Sequence, residues 1–238
     1  MPREPRDFSI GEIYHVINRG VDRREIFSKA QDYSRFILGL ELFNSDKPVN
    51  IWQQLGFGTA GSDLAVQLHD IRRRKNRPIV ELSAFALMPN HYHLIIREIE
   101  ADGIVKYMQK LGGYSLYYNK QCNRVGPLFQ SRYKAILQTG DVQLANLFSY
   151  VHTNPVELIE PGWKDEFKVQ NSAKAIEFVK SYPWSSYQDY LGTGRHRSVT
   201  NQRFFLDYLG GEKGCKKNVE EWIKFKAQIT AGSDLAVG

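Results

Sequence analysis

Apolar residues recur along this chain with two different periods, and the switches between them lay out its elements. Residues 13–17, Ile-Tyr-His-Val-Ile, have the short β-branched character of a strand and run out at Asn18-Arg19-Gly20. Over residues 32–43 the period becomes helical, with Phe36, Ile37, Leu40 and Phe43 on one side. Residues 79–87 form a second apolar strand, Pro89-Asn90 a tight turn and residues 91–97 a third strand, so the last two make a hairpin. Residues 102–122 read as one long helix, although Gly112-Gly113 inside it costs about 1 kcal/mol per glycine, which suggests close packing or a bend. Residues 132–138 suggest another strand. Residues 141–153 form a helix that Asn154-Pro155 halts, because a residue before proline avoids the α region. Past Trp184 the chain turns mixed and polar, with short helices at 204–209 and 219–227. Intermixed strands and helices with a hairpin predict an α+β protein, an antiparallel sheet with helices packed on one face and a helical C-terminal tail.

Composition narrows the class. The 238 residues suit one moderate domain with an appendage, and 42% hydrophobic with 24% charged residues is ordinary for a globular protein. No apolar run reaches 18 residues and the N-terminus lacks an apolar signal segment, so no membrane partner is expected. Cys122 and Cys215 are far apart and outside any C-x-x-C pair, which points away from a disulfide framework or structural zinc and towards a cytoplasmic location. A net charge of +6 tilts the partner towards polyanions. Residues 52–78 read as an insertion or extended loop ending in the basic run Arg72-Arg73-Arg74-Lys75-Asn76-Arg77. Thr59-Ala-Gly-Ser-Asp-Leu-Ala-Val66 recurs unchanged as Thr230-Ala-Gly-Ser-Asp-Leu-Ala-Val237, two copies too distant for a solenoid.

The candidate chemistry sits on the third strand. His91 and His93 are two apart, so both imidazoles project to one face about 7 Å apart and can chelate one ion. Arg97 shares that face, while Tyr92, Leu94 and Ile96 point the other way into a core. Two ordinary histidines on a solvated sheet face are the plain alternative. Near the end of the 141–153 helix, Tyr150 and Asn154 are one turn apart on a flank of the stripe Leu144, Leu147, Phe148 and Val151. Tyr150 can supply a hydroxyl and Asn154 an amide oxygen, or they can be a boundary aromatic and a helix cap. Tyr117 and Gln121 have the same spacing on the preceding helix and compete for the role; Tyr118 falls on the apolar face there.

Taken together, five stretches resemble the single-tyrosine HUH transposases and, within them, the REP-associated tyrosine transposases. They are Tyr14-His-Val-Ile-Asn-Arg-Gly20, Met88-Pro-Asn-His-Tyr-His-Leu94, Gly126-Pro-Leu-Phe-Gln-Ser-Arg-Tyr133, Tyr150-Val-His-Thr-Asn-Pro-Val156 and Tyr182-Pro-Trp-Ser-Ser-Tyr187. The resemblance implies a ferredoxin-like antiparallel sheet carrying His91 and His93, with the tyrosine helix beside it. The matching stretches place a catalytic domain over residues 1–200; residues 52–78 and the helical C-terminal extension, 201–238, match none of the family's motifs and their roles stay open. The resemblance assigns Tyr150 as nucleophile and Asn154 as third metal ligand beside His91 and His93, and demotes Tyr117 and Gln121. Tyr92 departs from the aliphatic residue usual between the two histidines. The implied activity is metal-dependent cleavage and rejoining of single-stranded DNA next to a hairpin, through a 5′-phosphotyrosine, as in DNA transposition. The implied cofactor is Mg²⁺ or Mn²⁺; imidazole ligands alone would also suit Zn²⁺. The expected partner is single-stranded or hairpin DNA, the expected form a monomer or homodimer, and the expected place the nucleoid. Arg19, Arg97, Arg132 and Lys134 are candidate phosphate contacts. Two other readings stand beside this one: a catalytically silent hairpin-binding regulator, and a phosphodiesterase that uses water.

Overall fold

The structure, a computed structural model, describes residues 7–48, 77–163 and 169–234. The region read as an insertion, apart from residues 77 and 78, and the first copy of the repeated octapeptide lie outside them. Among the described residues four strands form the sheet: β1 (Ile13–Arg19), β2 (Val80–Met88), β3 (His91–Glu98) and β4 (Lys134–Gln138). Their order is β2-β3-β1-β4, antiparallel throughout. With α1 (Ala30–Leu42) between β1 and β2, and α2 (Gly103–Gly112) and α3 (Tyr114–Gln121) between β3 and β4, this is the ferredoxin-like arrangement.

The helices cover both faces of the sheet, which corrects the expectation of a single covered face. On one side Tyr14, Val16, Phe85, Leu87, Tyr92, Leu94 and Ile96 pack against Phe36 and Leu40 of α1 and Ile104, Tyr107 and Met108 of α2. On the other side Ile13, Ala84, Ala86 and Ile95 meet a second layer. That layer is α4 (Asp141–Thr153), α5 (Ser172–Ser181), the single turn α6 (Tyr187–Tyr190), α7 (Arg203–Leu209) and α8 (Gly211–Asp234). β2 and β3 are therefore buried on both faces, the condition under which strands read as near-continuous apolar runs. The small Ala84 and Ala86 leave room for α4 to lie across β2.

Two helix boundaries also differ from the sequence reading. The long helix over 102–122 is two helices that meet at Gly113. The chain does not leave the helical region before Pro155: Asn154 has φ −52° and ψ −38° and opens a 3₁₀ turn, Asn154–Leu158. Pro155 sits near the start of that turn, where its missing N–H is not needed. Glu98, buried at the end of β3, accepts hydrogen bonds from Gly103 N (3.0 Å) and Ile104 N (2.7 Å) and so caps α2. Among the described residues no helix is long and apolar enough to cross a membrane.

Candidate active site

β3 starts directly after the Pro89-Asn90 turn, so His91 and His93 stand at the end of the sheet opposite Arg19 and Ile17 of β1. Their face is the one α4 covers. Both rings are buried, at 4% and 2% exposure, which overturns the solvated sheet face considered from sequence. The last turn of α4 brings Tyr150 edge-on to His93, with ring centroids 5.4 Å apart. One turn further on, Asn154 is wholly buried and its Oδ1 lies 3.1 Å from His91 Nε2. The His91 and His93 rings are 5.0 Å apart at 82°. The four residues singled out as nucleophile and ligands thus meet at one place.

Hydrogen bonds fix how these groups face one another. Asn90 Nδ2 donates to Arg23 O (3.2 Å), which leaves Asn90 Oδ1 to accept from His91 Nδ1 (2.6 Å). A neutral His91 then carries its lone pair on Nε2, pointed at another acceptor, Asn154 Oδ1. Two acceptors facing each other are relieved by a cation or a proton between them, or by rotation of the amide. Asn154 Nδ2 makes no hydrogen bond among the described residues. Adjacent ligands of an octahedral ion with bonds of about 2.1 Å stand about 3.0 Å apart, close to the separation seen. Among the described residues no group of three His, Cys, Asp or Glu side chains is arranged to hold a metal. An ion here would therefore take two imidazoles and one amide oxygen, with its other positions filled by water or substrate. The residues fit such an ion.

His15 is the site residue that sequence reasoning missed. It lies on β1, its Nε2 is 2.8 Å from His93 Nδ1, and its ring also meets Tyr150 at 5.7 Å. Burial lowers its pKa to about 4, so it is neutral at pH 7. A signal existed: a lone polar residue at an inward position of an otherwise apolar strand, facing the same way as Ile13.

The candidate cations separate into two groups. Arg19, Arg132 and Lys134 line one cavity of about 430 Å³ together with His93 and Tyr150. None of the three makes an ion pair among the described residues. Arg97 is not brought to this site. It pairs with Ile13 in the ladder, six residues along β3 from His91, bonds Glu81 at 3.3 Å and lies 4.6 Å over the Phe204 ring. Tyr117 is on the opposite face of the sheet, buried against α1, and its hydroxyl donates to Asp32 Oδ1 (3.2 Å).

Residues 61–154 match the family model described as IS200-like transposase, a span that includes His91, His93, Tyr150 and Asn154. No curated protein matches the chain. A solved structure of a REP-associated tyrosine transposase bound to a REP hairpin aligns with 82% of this chain and 90% of its own, at 15% identity and a TM-score of 0.47.

Proposed function

We propose that this chain, similar over residues 61–154 to the IS200-like transposases, cleaves and rejoins single-stranded DNA beside a hairpin, with Tyr150 as the nucleophile. The observation that carries the reading is the meeting of Tyr150, His91, His93 and Asn154 at one end of the sheet, beside a cavity whose lining among the described residues has three cations and no carboxylate. Each residue has a task there. Arg19, Arg132 and Lys134 hold the phosphates of an extended strand along the cavity. Tyr150, fixed on α4 and only half-buried, presents its hydroxyl to the scissile phosphorus. The bond from Tyr150 Oη to phosphorus forms as the bond from phosphorus to the 3′ oxygen breaks. The phenolic proton is lost and the departing oxygen takes one up, leaving a 5′-phosphotyrosine and a 3′-OH. One phosphodiester replaces another, so attack by a second 3′-OH reverses the step and joins new ends. His91, His93 and Asn154 would hold a divalent ion, Mg²⁺ or Mn²⁺. When bound, that ion polarises the phosphoryl oxygen and offsets the charge that develops on it.

The test is covalent capture. A labelled oligonucleotide with a hairpin and a single-stranded tail should give a protein–DNA adduct with the native protein and with Tyr117→Phe, and none with Tyr150→Phe. An adduct that survives Tyr150→Phe overturns the assignment. Hairpin binding with no adduct under any divalent ion returns the silent regulator.

A further inference from the structure

A second cavity, about 560 Å³, lies on the other face of the sheet, under the loop that joins α3 to β4. It adjoins the Tyr150 cavity, because Asn18, Ser131 and Arg132 line both. Its volume is that of a small-ligand site. The chemistry of the two differs. The Tyr150 cavity has three cations. The second has the half-buried aromatic rings Phe129 and Tyr133, the apolar Met108 and Val105 of α2, and the polar edges of Asn18 and Gln109. Asp102 and Arg132 are the charged residues of its lining, one of each sign, so it offers no net positive charge to a phosphate. Aromatic walls with amide groups between them suit a flat heterocycle with hydrogen-bonding edges, the way unpaired bases are held.

The walls are also fixed in advance. Val21 N donates to Leu128 O (2.9 Å) and Gln130 N to Arg19 O (2.9 Å), which pins the loop carrying Phe129 to the end of β1. Asn18 Oδ1 accepts a hydrogen bond from Arg19 N (2.9 Å), and Asn18 faces Tyr92 across the ladder. The opposite wall is the C-terminal half of α2, ending at Gly112. A side chain added at Gly112 would meet nothing within 4 Å, and Gly112 lines the cavity.

We infer that this second cavity seats an unpaired nucleobase of the strand whose phosphate lies at Tyr150, so that the strand wraps the end of the sheet between the two cavities at Arg132. The inference rests on the strand-transfer reading. It predicts that one or two tail positions are sensed through their bases and the rest through their phosphates.

Gly112 allows a clean test, because Gly112→Leu fills the cavity from open space and improves helix propensity. Binding of a hairpin oligonucleotide with a single-stranded tail is measured by fluorescence anisotropy, with an abasic site moved along the tail. In the native protein one or two abasic positions should weaken binding roughly tenfold or more, the range of a base stacked on an aromatic side chain. Gly112→Leu should bind the intact oligonucleotide as weakly as the native protein binds that abasic one, and should be indifferent to the abasic change. Tyr133→Ala should behave alike by removing a wall rather than filling the space. An adduct at Tyr150 with abasic sensitivity unchanged in both variants overturns the base site and leaves the strand-transfer reading intact. Uniform tolerance of abasic sites in the native protein also overturns it. No adduct with the native protein removes the reading, and this inference with it.

Discussion

His15 and His93 place two ring nitrogens 2.8 Å apart, and the proton between them decides what the other end of His93 can do. If His15 accepts at Nε2, His93 donates from Nδ1 and keeps a lone pair on Nε2, the atom a metal would need. His15 is thus the outer partner that sets the tautomer of a ligand, as Asn90 is for His91. Loss of such a partner costs about 10–100-fold in metal affinity. His15→Ala should therefore weaken Mn²⁺ binding by that factor, read by calorimetry without DNA, with hairpin binding unchanged. His15→Asn, which restores an acceptor, should recover part of the loss. Equal Mn²⁺ affinity in all three proteins would leave His15 a packing residue. The His91 and His93 pair was legible in sequence because alternation along one strand is local. His15 was not, because its neighbourhood depends on β1 lying next to β3. Asn154 was legible as a neighbour of Tyr150, but its backbone conformation was misread: the rule for residues before proline is a bias, and a buried 3₁₀ turn overrides it.

The helix α4 that carries Tyr150 is held from both sides. Beneath it are the sheet residues Ala84, Ala86 and Ile95. Against it lies α8, whose Asn218 Nδ2 donates to Ala145 O (3.0 Å), while Ser149 Oγ donates to Asn218 O (3.1 Å). Phe148, Phe205, Val219 and Ile223 fill the space between α4, α7 and α8, all wholly buried. Truncating Ile223 to Ala should cost about 2–5 kcal/mol of stability. Val142→Ala, on the exposed side of α4 at 74% exposure, should change it by less than about 0.5 kcal/mol. Denaturant midpoints of the two variants check this, and equal midpoints would show that α8 does not brace α4. The sequence showed only a short helix at 219–227 where a 24-residue helix runs. Its buried stripe is Cys215, Val219 and Ile223, one apolar residue per turn among lysines and glutamates, too thin to extend by pattern. The helix Ser172–Ser181 was missed for the same reason, with Ala175, Ile176 and Val179 as its buried residues.

On the scale of the molecule the cations are sorted by the sheet. Arg19, Arg132 and Lys134 gather round the Tyr150 cavity, whereas Arg97 is tied to Glu81 and stacked on Phe204 far along β3. Each phosphate neutralised on a single strand contributes about 0.7 to the slope of log affinity against log salt. Replacing Arg19, Arg132 or Lys134 by Ala should flatten that slope by about 0.7 each, and Arg97→Ala should leave it unchanged. A flattened slope for Arg97→Ala, or none for the other three, would route the strand elsewhere. The sequence could not make this division, because four basic residues at strand ends look alike until the register places them. The two edges of the sheet are just as unequal. The outer side of β2 is occupied: Leu87 N donates to Trp184 O, Ser186 N to Phe85 O and Asn201 N to Leu82 O. Among the described residues β4 has no neighbour on its outer side, and Ile136 and Leu137 are 49% and 42% exposed. Among the described residues the sheet therefore offers one bare edge. A second copy paired there about a twofold axis would cover the bare edge of each chain, so growth by strand pairing through the described edges would end at two chains, where a sheet with two bare edges would go on to a fibre.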